Sequence, residues 1–529
     1  MNLLLQLLPI VGPLALLIVF YHLWVFFTKG THIKKSKAVV VASPEPPGAW
    51  PIIGHLLQLS TPQPLFRTLA AMAEKHGPAF IVRFGVHPTL VISSWELAKE
   101  CFTTNDKALA SRPRSASGNY LTYNYAMFGF APYGSYWREV RKLVVLELLS
   151  TRRLESLKHI KYAEIEHCMK DLHGLCVKNK GNQIKVEMNR LFCDLTMNIV
   201  LKMVVGKSYF RVVEVGECNQ EVDRIQKTII DFFRFTGASV ASDAVPFLGW
   251  IGFKGEERAM KRIAKEMDVI TERWLQEHRE KRQYYAEKKD EQDFMDVMLS
   301  MLEEDPQFHG HPRDTVVKAT SMGMILAATD TTAVSLSWAL SLLLNNQQVL
   351  KKAQDEIDKL VNKDRNVDEK DICNLPYLHA VVKETFRLYP VAPLLIPHEA
   401  IEDCNVGGFR IRSRTRVLVN VWKIHRDPNI WSKPLEFQPE RFLTNHVDVD
   451  VRGKNFELIP FGSGRRSCPG ISFALQTMHM MLARLLHGFE LQKPFDEPVD
   501  MTEEGGLTMP KKTPLEVLLS PRLPSHLYE

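Results

Sequence analysis

The chain has 529 residues, a formal net charge of +6 and a hydrophobic fraction of 45 %. An apolar fraction of this size excludes a chain that is disordered throughout, and the slight surplus of 67 basic over 61 acidic residues does not by itself indicate a nucleic-acid partner. The eight cysteines include no C-x-x-C pair, which excludes a disulfide scaffold and fits a reducing compartment.

The N-terminal segment predicts a membrane anchor. Residues Leu3–Phe27 carry no charged side chain, and a helix of that length reaches about 37 Å, enough to cross a hydrocarbon core of about 30 Å. A cleaved signal peptide is the alternative, but it would have a shorter apolar run with a basic residue before it. The basic residues here follow the run, at Lys29, Lys34, Lys35 and Lys37. By the positive-inside rule the body of the protein then lies in the cytosol.

A proline-rich segment, Pro44–Pro51 with the sequence PEPPGAWP, follows the basic residues. Prolines at this density favour a stiff, extended spacer. The sequence therefore predicts a transmembrane anchor over residues 1–28, a basic and proline-rich hinge over residues 29–54 and a single body over residues 55–529.

The body has mainly helical patterning. Helix-like periodicity dominates from Trp137 to Asn346, and strand-like runs occur near Ala79–Ser94, near Phe409–Val421 and close to the C-terminus. Neither an internal repeat nor a second Pro/Gly-rich linker interrupts the sequence. The pattern predicts a mainly α fold with a small β portion.

A short amphipathic run, WREVR, contains the first candidate for ligand binding. Trp137 and Arg141 are four residues apart on one face of the predicted helix. An indole N–H and a guanidinium in this arrangement can reach the same anion. On an isolated helix the same spacing is more often an exposed amphipathic surface, so the pattern alone leaves both interpretations open.

A proline-free segment from about Arg313 to Asn345 predicts a long helix. Asp330 is the only charged residue between positions 318 and 351, and a lone carboxylate in an apolar helix costs free energy unless it is partnered or functional. It stands in the run AATDTT, where threonine hydroxyls can bond back to helix carbonyls and loosen the local ladder. Asp330 and Thr331 can then hold water and pass protons. A core helix is the plain alternative, whereas the neighbouring serines argue against a second transmembrane span.

A second helical segment carries Glu384 and Arg387, three residues apart and just before Pro390. Side chains at this spacing share a helix face and can form an ion pair. Alone, such a pair is usually a solvated surface feature.

Residues Phe461–Gly470 have the sequence FGSGRRSCPG. The first two glycines allow a tight turn, and the Pro-Gly pair precedes an apolar helical run, so Cys468 lies just before a helix N-terminus. The positive helix end and the adjacent Arg465 and Arg466 should lower the pKa of the Cys468 thiol and favour a thiolate. A thiolate is a good axial ligand for haem iron. For an isolated cysteine a buried structural role is more frequent.

This decapeptide matches the signature F-x-x-G-x-R-x-C-x-G at every fixed position, and through it the chain resembles the cytochrome P450 superfamily. The run AATDTT resembles the family's oxygen-activating motif [AG]-G-x-[DE]-T-[TS], from which it departs once, because Ala328 stands where glycine is usual. The Glu384 segment and the later run FQPERF at Phe437–Phe442 resemble the family's Glu–Arg–Arg network. The run at Tyr123–Gly134, YNYAMFGFAPYG, resembles plant cytochrome P450 family 82.

The resemblance implies a haem-thiolate monooxygenase with the cytochrome P450 fold. Its cofactor would be haem b with Cys468 as the metal ligand, and Asp330 and Thr331 would be the catalytic residues that deliver protons. The haem-propionate donors that it implies are Trp137, Arg141, His398 and Arg466. The structural network that it implies is formed by Glu384, Arg387 and Arg441.

The resemblance also implies partners. Electrons would come from NADPH through a membrane-bound NADPH–cytochrome P450 reductase, whose acidic surface Lys454 and Arg465 could face. The other partners would be O2, membrane lipid and a hydrophobic small molecule, with no nucleic acid. The expected location is the endoplasmic reticulum membrane, with one span and a cytosolic catalytic domain.

The substrate pocket implied by the same resemblance is apolar and aromatic, which favours a bulky, hydrophobic and aromatic substrate. Its expected side chains are Phe128, Phe130, Phe232, Phe233, Met324, Ala327, Leu394, Leu395 and Leu507. Asp243 is the one candidate counter-ion for an amine, with a place in a surface loop as the alternative. The leading hypothesis is hydroxylation of a polycyclic, benzylisoquinoline-type alkaloid, and oxidation of a terpenoid or flavonoid is the alternative.

Two other functional classes share these motifs. One is a haem-thiolate isomerase or dehydratase that needs no reductase, against which the retention of Asp330 and Thr331 argues. The other is a membrane-tethered haem protein without catalysis, which the complete set of motifs disfavours.

Overall fold

The computed structural model describes residues 21, 43–180, 183–209, 220–237, 243, 254–284, 292–303 and 306–529. Helices make up most of this part of the chain. Numbered in chain order, they are α1 (Leu56–Leu59), α2 (Leu65–His76), α3 (Trp95–Phe102), α4 (Ala116–Leu121), α5 (Ser135–Leu143), α6 (Thr151–Ser156), α7 (Lys158–Lys178), α8 (Met188–Val205), α9 (Gln220–Gly237), α10 (Lys254–Tyr284), α11 (Phe294–Met301), α12 (Arg313–Asn345), α13 (Gln347–Val361), α14 (Glu369–Ile372), α15 (Pro376–Leu388), α16 (Val421–Ile424) and α17 (Ile471–Gly488). A π-helical turn spans Val144–Leu148, and 3-10 turns span Pro439–Leu443, Gly464–Arg466 and Ser525–Leu527.

The strands are short and form small sheets. They are β1 (Ala79–Phe84), β2 (His87–Ile92), β3 (Ile184–Glu187), β4 (Gln307–Phe308), β5 (His311–Pro312), β6 (His398–Glu399), β7 (Cys404–Val406), β8 (Phe409–Ile411), β9 (Arg416–Val419), β10 (Phe489–Gln492) and β11 (Glu516–Pro521). One sheet has the order β1-β2-β9-β6, in which only the β2–β9 pair is parallel and Leu90 lies opposite Val417. A second sheet has the order β10-β11-β3, and β4–β5 and β7–β8 form separate antiparallel pairs.

The predicted fold class, mainly α with a small β portion, is confirmed. The strand-like runs correspond to β1 and β2, to β8 and β9, and to β11. The predicted anchor over residues 1–28 lies outside the described residues except for Tyr21, and so does the first half of the predicted hinge. The three domain boundaries stay predictions.

Helix α12 lies in the core and has the bounds that the sequence predicts, Arg313–Asn345. Almost every side chain from Val316 to Leu344 is buried, as expected for a helix that is apolar all round, and α8 packs along it. Within the described part of the chain, α12 is the one helix long and apolar enough to cross a membrane, and 78 % of its most apolar stretch is buried inside the protein. This burial fits the core helix that the sequence favours over a second span.

Helix α12 also anchors the segment between β10 and β11. The indole N–H of Trp338 donates to the carbonyl oxygen of Met509 at 2.8 Å. Near the end of the helix, the side-chain amide of Asn345 donates to the Val499 carbonyl at 3.0 Å and accepts from the Val499 N–H at 2.8 Å. Tyr389 stacks on the Trp338 ring, with 4.0 Å between the ring centroids. These bonds hold the residues that precede Met509 against the middle of α12.

A buried ion network connects α15 to the segment before the cysteine loop. The carboxylate of Glu384 accepts two hydrogen bonds from Arg387, at 2.7 and 2.8 Å, and one from Arg441 at 3.1 Å. All three side chains are at most 4 % exposed. Arg387 also donates to the carbonyls of His425 and Pro434. Every group in this network is desolvated, so the single Glu384 carboxylate must supply the counter-charge for both guanidinium groups.

We expect Glu384→Gln to destabilise the fold strongly. The substitution keeps the side-chain volume but leaves two buried guanidinium groups without a counter-charge, a loss of about 3–5 kcal/mol. Thermal unfolding followed by circular dichroism measures it. The matched control is Lys352→Gln, which breaks the exposed ion pair with Glu440 and should leave the unfolding temperature nearly unchanged. Equal, small shifts for both variants would contradict the dependence on Glu384.

Candidate active site

The loop that precedes α17 aims one thiol into an internal cavity. Gly462 and Gly464 have φ values of +68° and +67°, and a Cβ on Gly464 would come within 2.4 Å of Asp106, so both turns favour glycine. The Cys468 N–H donates to the carbonyl of Phe461 at 2.9 Å, and the Gly470 N–H donates to Cys468 Sγ at 3.3 Å. As the sequence predicts, the cysteine lies just before a helix N-terminus.

The expectation that the two neighbouring arginines lower the pKa of the Cys468 thiol is wrong. Burial raises that pKa, and the counteracting groups are the Gly470 N–H and Arg141. Arg465 turns away and pairs with Asp106 at 2.7 Å, while Arg466 donates to backbone carbonyls. A metal ion bound to the sulfur would supply the missing positive charge, because coordination deprotonates a thiol.

Three guanidinium groups converge on the same side of the cavity, of which Arg112 is buried and Arg141 and Arg466 are half-buried. Arg141 donates to the Ser467 carbonyl at 2.5 Å, Arg466 to the Ala110 and Ala131 carbonyls at 2.7 Å each, and Arg112 to the Ile396 and Pro397 carbonyls at 2.7 and 2.9 Å. Among the described residues, no carboxylate forms an ion pair with any of the three.

Burial and mutual repulsion act on these arginines together. They lower the pKa of Arg466 to about 8 and that of Arg112 to about 9. Trp137 lies in the same wall, with the Arg466 guanidinium 4.1 Å from its ring centroid. Buried cations without acidic partners are costly, so this wall is suited to a ligand with more than one negative charge. Together with the Cys468 thiol, it fits the two propionates and the iron of a haem.

The structure adds to the sequence prediction at His398 and Arg112. His398 lines the cavity, but its Nδ1–H donates to the Leu109 carbonyl at 2.7 Å, and burial lowers its pKa well below the usual value. Arg112 and Arg466 also oppose a positive charge on this ring, and a propionate contact from His398 stays a prediction. Sequence reasoning missed Arg112, because nothing in the run SRPRS distinguishes this buried arginine from the exposed Arg114 beside it.

The middle of α12 passes along the cavity. Thr331 lines the cavity, and its hydroxyl donates to the Ala327 carbonyl at 2.7 Å. The hydroxyl of Thr196, from α8, donates to the Thr329 carbonyl at 3.1 Å. The helix is continuous through this turn, so the Thr331 hydroxyl bonds back to a carbonyl without opening the hydrogen-bond ladder that the sequence predicts to be loosened here. The hydroxyls of Thr329 and Thr332 are buried without a partner in the described chain.

Asp330 lies on the flank of this turn. Burial raises the pKa of Asp330 to about 6, and the Thr508 side chain opposes that shift by hydrogen bonding to the carboxyl group. Its Oδ2 atom is buried and has no hydrogen-bond partner among the described residues. A carboxyl group with a pKa near neutrality and a free oxygen can accept and release a proton under physiological conditions.

The rest of the cavity wall is apolar. The lining residues that the sequence predicts are Phe128, Phe130, Phe232, Phe233, Met324, Ala327, Leu395 and Leu507. They come from the segment before α5, from α9, from α12 and from the loops after α15 and β10. The structure therefore brings these residues together around one space, beside Thr331 and Cys468.

Leu394 and Asp243 lie elsewhere. Leu394 packs against the cluster around Phe80 and Leu418 at the four-stranded sheet and is absent from the described lining. Asp243 accepts a hydrogen bond from the Ala116 N–H at 2.8 Å and is absent from the described lining. It is therefore not placed to pair with an amine in the cavity.

Comparisons with known proteins agree with this geometry. The family model described as Cytochrome P450 matches residues 44–517. A strychnine-10-hydroxylase from Strychnos nux-vomica is 51 % identical over 517 residues, covering 97 % of this chain and 98 % of that protein. A xanthotoxin 5-hydroxylase, CYP82C2, from Arabidopsis thaliana is 50 % identical and covers 97 % and 99 %. A protopine 6-monooxygenase from Eschscholzia californica is 46 % identical and covers 97 % of each.

A solved structure shares the architecture. A zebra fish cytochrome P450 crystallised with progesterone superposes with a TM-score of 0.72 at 25 % sequence identity, over 87 % of this chain and all of that one. Haem with a cysteine thiolate ligand and electrons supplied from NADPH by a reductase are properties of this family and fold, and the resemblance to plant family 82 is confirmed. The chain belongs to the cytochrome P450 family and is a monooxygenase of that family.

Proposed function

We propose that this protein inserts one oxygen atom from O2 into a hydrophobic plant specialised metabolite, and that the leading reaction is hydroxylation of a polycyclic, benzylisoquinoline-type alkaloid. One observation carries the proposal: the Cys468 thiol, the arginine wall and the Asp330 turn surround a single cavity that is otherwise apolar and aromatic. The names of relatives that act on strychnine and protopine support the alkaloid class.

The residues divide the work between cofactor and substrate. Cys468 would bind the haem iron, and the propionates would be held by Trp137, Arg112, Arg141 and Arg466. When bound, the haem supplies the oxygen-activating chemistry. Thr331 and Asp330 would hold water and move protons on the distal side. The apolar walls would exclude bulk water and orient the substrate.

The location and partners complete the proposal. The protein would be anchored in the endoplasmic reticulum membrane by its N-terminal segment, with the body in the cytosol, where a membrane-bound NADPH–cytochrome P450 reductase delivers electrons. Lys454 stays a proposed contact of the reductase. Arg465 is less suited, because Asp106 and Tyr133 already hold its guanidinium.

The proposal is tested by NADPH-dependent turnover with purified reductase. Strychnine, protopine, a terpenoid and a flavonoid would be incubated with the reconstituted enzyme, and products separated by mass spectrometry. Addition of 16 Da to an alkaloid supports the leading reaction. If only the terpenoid or the flavonoid is oxidised, that class replaces the alkaloid as the proposed substrate. Conversion without NADPH would indicate an isomerase or dehydratase instead.

Replacement of the proposed iron ligand should remove the thiolate signature. In Cys468→Ala, we expect the dithionite-reduced, carbon-monoxide-bound protein to lose the strongly red-shifted Soret band of the wild type, because no thiolate reaches the iron. Cys193→Ala is the matched control, since that cysteine lies on α8 and is absent from the described lining. A red-shifted band that persists in Cys468→Ala would contradict the assignment.

Loss of the Thr331 hydroxyl should uncouple electron consumption from oxidation. Thr331→Ala is expected to bind haem and substrate but to release most of its reducing equivalents as peroxide, because proton delivery is disturbed. The ratio of product to NADPH measures this. Ser337→Ala is the control, since Ser337 makes the same hydroxyl-to-carbonyl bond, to Ala333 at 2.8 Å, away from the cavity. Tight coupling in Thr331→Ala would refute the role.

We expect Asp330→Asn to be more stable and less active than the wild type. The folded-state pKa of about 6 lies above the usual value of 3.8, so the unfolded chain ionises first, and the fold loses stability as pH rises from about 3.8 to about 6 with no further loss above that. Relative to wild type, Asp330→Asn should therefore gain about 3 kcal/mol of stability at pH 8 and about half of that at pH 5, while product formation falls. Thermal unfolding of both proteins at both pH values measures this difference in stability. A difference that does not grow from pH 5 to pH 8 would refute the buried charge on Asp330.

A further inference from the structure

The charged groups of the cavity wall are all on the haem side. Arg112, Arg141 and Arg466 are the charged residues of the described lining, together with the Cys468 thiol, and no aspartate or glutamate is among the described lining residues. In the proposed complex these cations are matched by two propionates. Among the described residues, the part of the wall left for the substrate then carries no fixed charge.

Two acids from nearby segments are absent from the described lining. Asp243 binds the Ala116 N–H and is attracted to Arg416. Asp330 is on the flank of α12, where it hydrogen-bonds with Thr508 and its Oδ2 atom has no partner among the described residues. Among the described residues, the cavity wall therefore presents no carboxylate to a cation.

An aromatic cage is the remaining way to hold a cation. Phe130 meets Phe232 edge-on at 6.3 Å, and Phe232 meets Phe233 edge-on at 5.5 Å, with interplanar angles of 77° and 88°. Phe232 is 2 % exposed. Its neighbours therefore cover the Phe232 ring, which offers almost no open face to a cation.

We propose that the cavity accepts its substrate only in the uncharged state, so that an amine substrate is bound as the free base. This inference rests on the proposed function and narrows its substrate class. Transfer of an unpaired ammonium into an apolar cavity is costly, and the group loses its proton instead. The hydroxyls of Thr331, Thr332 and Thr508 leave hydrogen-bonding capacity for a neutral polar atom of the substrate.

Matched probes test the inference without knowledge of the natural substrate. An N-arylimidazole ligates haem iron and gives a difference spectrum, so binding can be titrated directly. We would compare 1-(4-tert-butylphenyl)imidazole with its trimethylammonium isostere, which has the same shape and a permanent positive charge. The neutral trifluoromethyl analogue corrects for the weaker basicity that an electron-withdrawing substituent causes. After this correction, we expect the tert-butyl probe to bind about 100-fold more tightly or better.

Two variants of Met324, which lines the cavity from α12, make the test specific to charge. At pH 8.5, the ratio of the dissociation constants of the ammonium probe and the neutral probe should fall at least tenfold in Met324→Glu. The isosteric Met324→Gln should leave that ratio unchanged. Equal or tighter binding of the ammonium probe to the wild type would overturn the inference and indicate a cation site. Absence of any difference spectrum with the neutral probes would instead overturn the proposed haem site, and this inference with it.

Discussion

Three positive charges that are largely withdrawn from water, and that have no acidic partner in the described chain, are the constraint on which this structure depends. Arg112, Arg141 and Arg466 come from a loop, from α5 and from the cysteine loop, and only backbone carbonyls accept their hydrogen bonds in the described chain. Those carbonyls orient the guanidinium groups but do not neutralise them. The arrangement is therefore favourable only around an anion, which couples the folding of this wall to the binding of the cofactor. The Cys468 thiol likewise depends on the cofactor. Burial raises the pKa of this thiol, and a bound metal ion would supply the positive charge that favours the thiolate.

The second constraint lies in α12, which must serve the core and the site at once. A helix that is apolar all round is stable here because α8 and its other neighbours bury it. The polar turn from Thr329 to Thr332 interrupts this surface, and its hydroxyls are in part satisfied by the helix itself and by Thr196. Three buried oxygens of this turn have no hydrogen-bond partner in the described chain: the hydroxyls of Thr329 and Thr332 and the Oδ2 atom of Asp330. Buried oxygens in such a cluster suit ordered water, which a proton path needs. The cost in stability and the capacity for chemistry come from the same residues.

Much of this was accessible from the sequence where a local pattern sets the structure. The bounds of α12 follow from an uninterrupted apolar run, and the position of Cys468 before α17 follows from its glycine, proline and helix pattern. The sequence could not indicate what depends on contacts far apart in the chain. Arg112 is buried because the carbonyls of Ile396 and Pro397 meet it across 284 and 285 residues. Leu394 packs against Phe80 and Leu418 at the four-stranded sheet and not into the cavity, and the thiol pKa depends on burial, which neighbouring residues in the sequence do not reveal.

The separation of charges in the cavity has a physical reason. The proposed role of Asp330 as a proton carrier requires a pKa near neutrality, and the value of about 6 results from burial opposed by one hydrogen bond. A second carboxylate in the wall, placed there to bind a cationic substrate, would repel the Asp330 charge and raise that pKa further. A bound ammonium would have the opposite effect and would hold Asp330 ionised. An uncharged substrate leaves the pKa of the Asp330 carboxyl group at the value that the protein sets. Neutral recognition of the substrate and proton delivery by Asp330 are therefore compatible requirements, which one apolar wall can satisfy together.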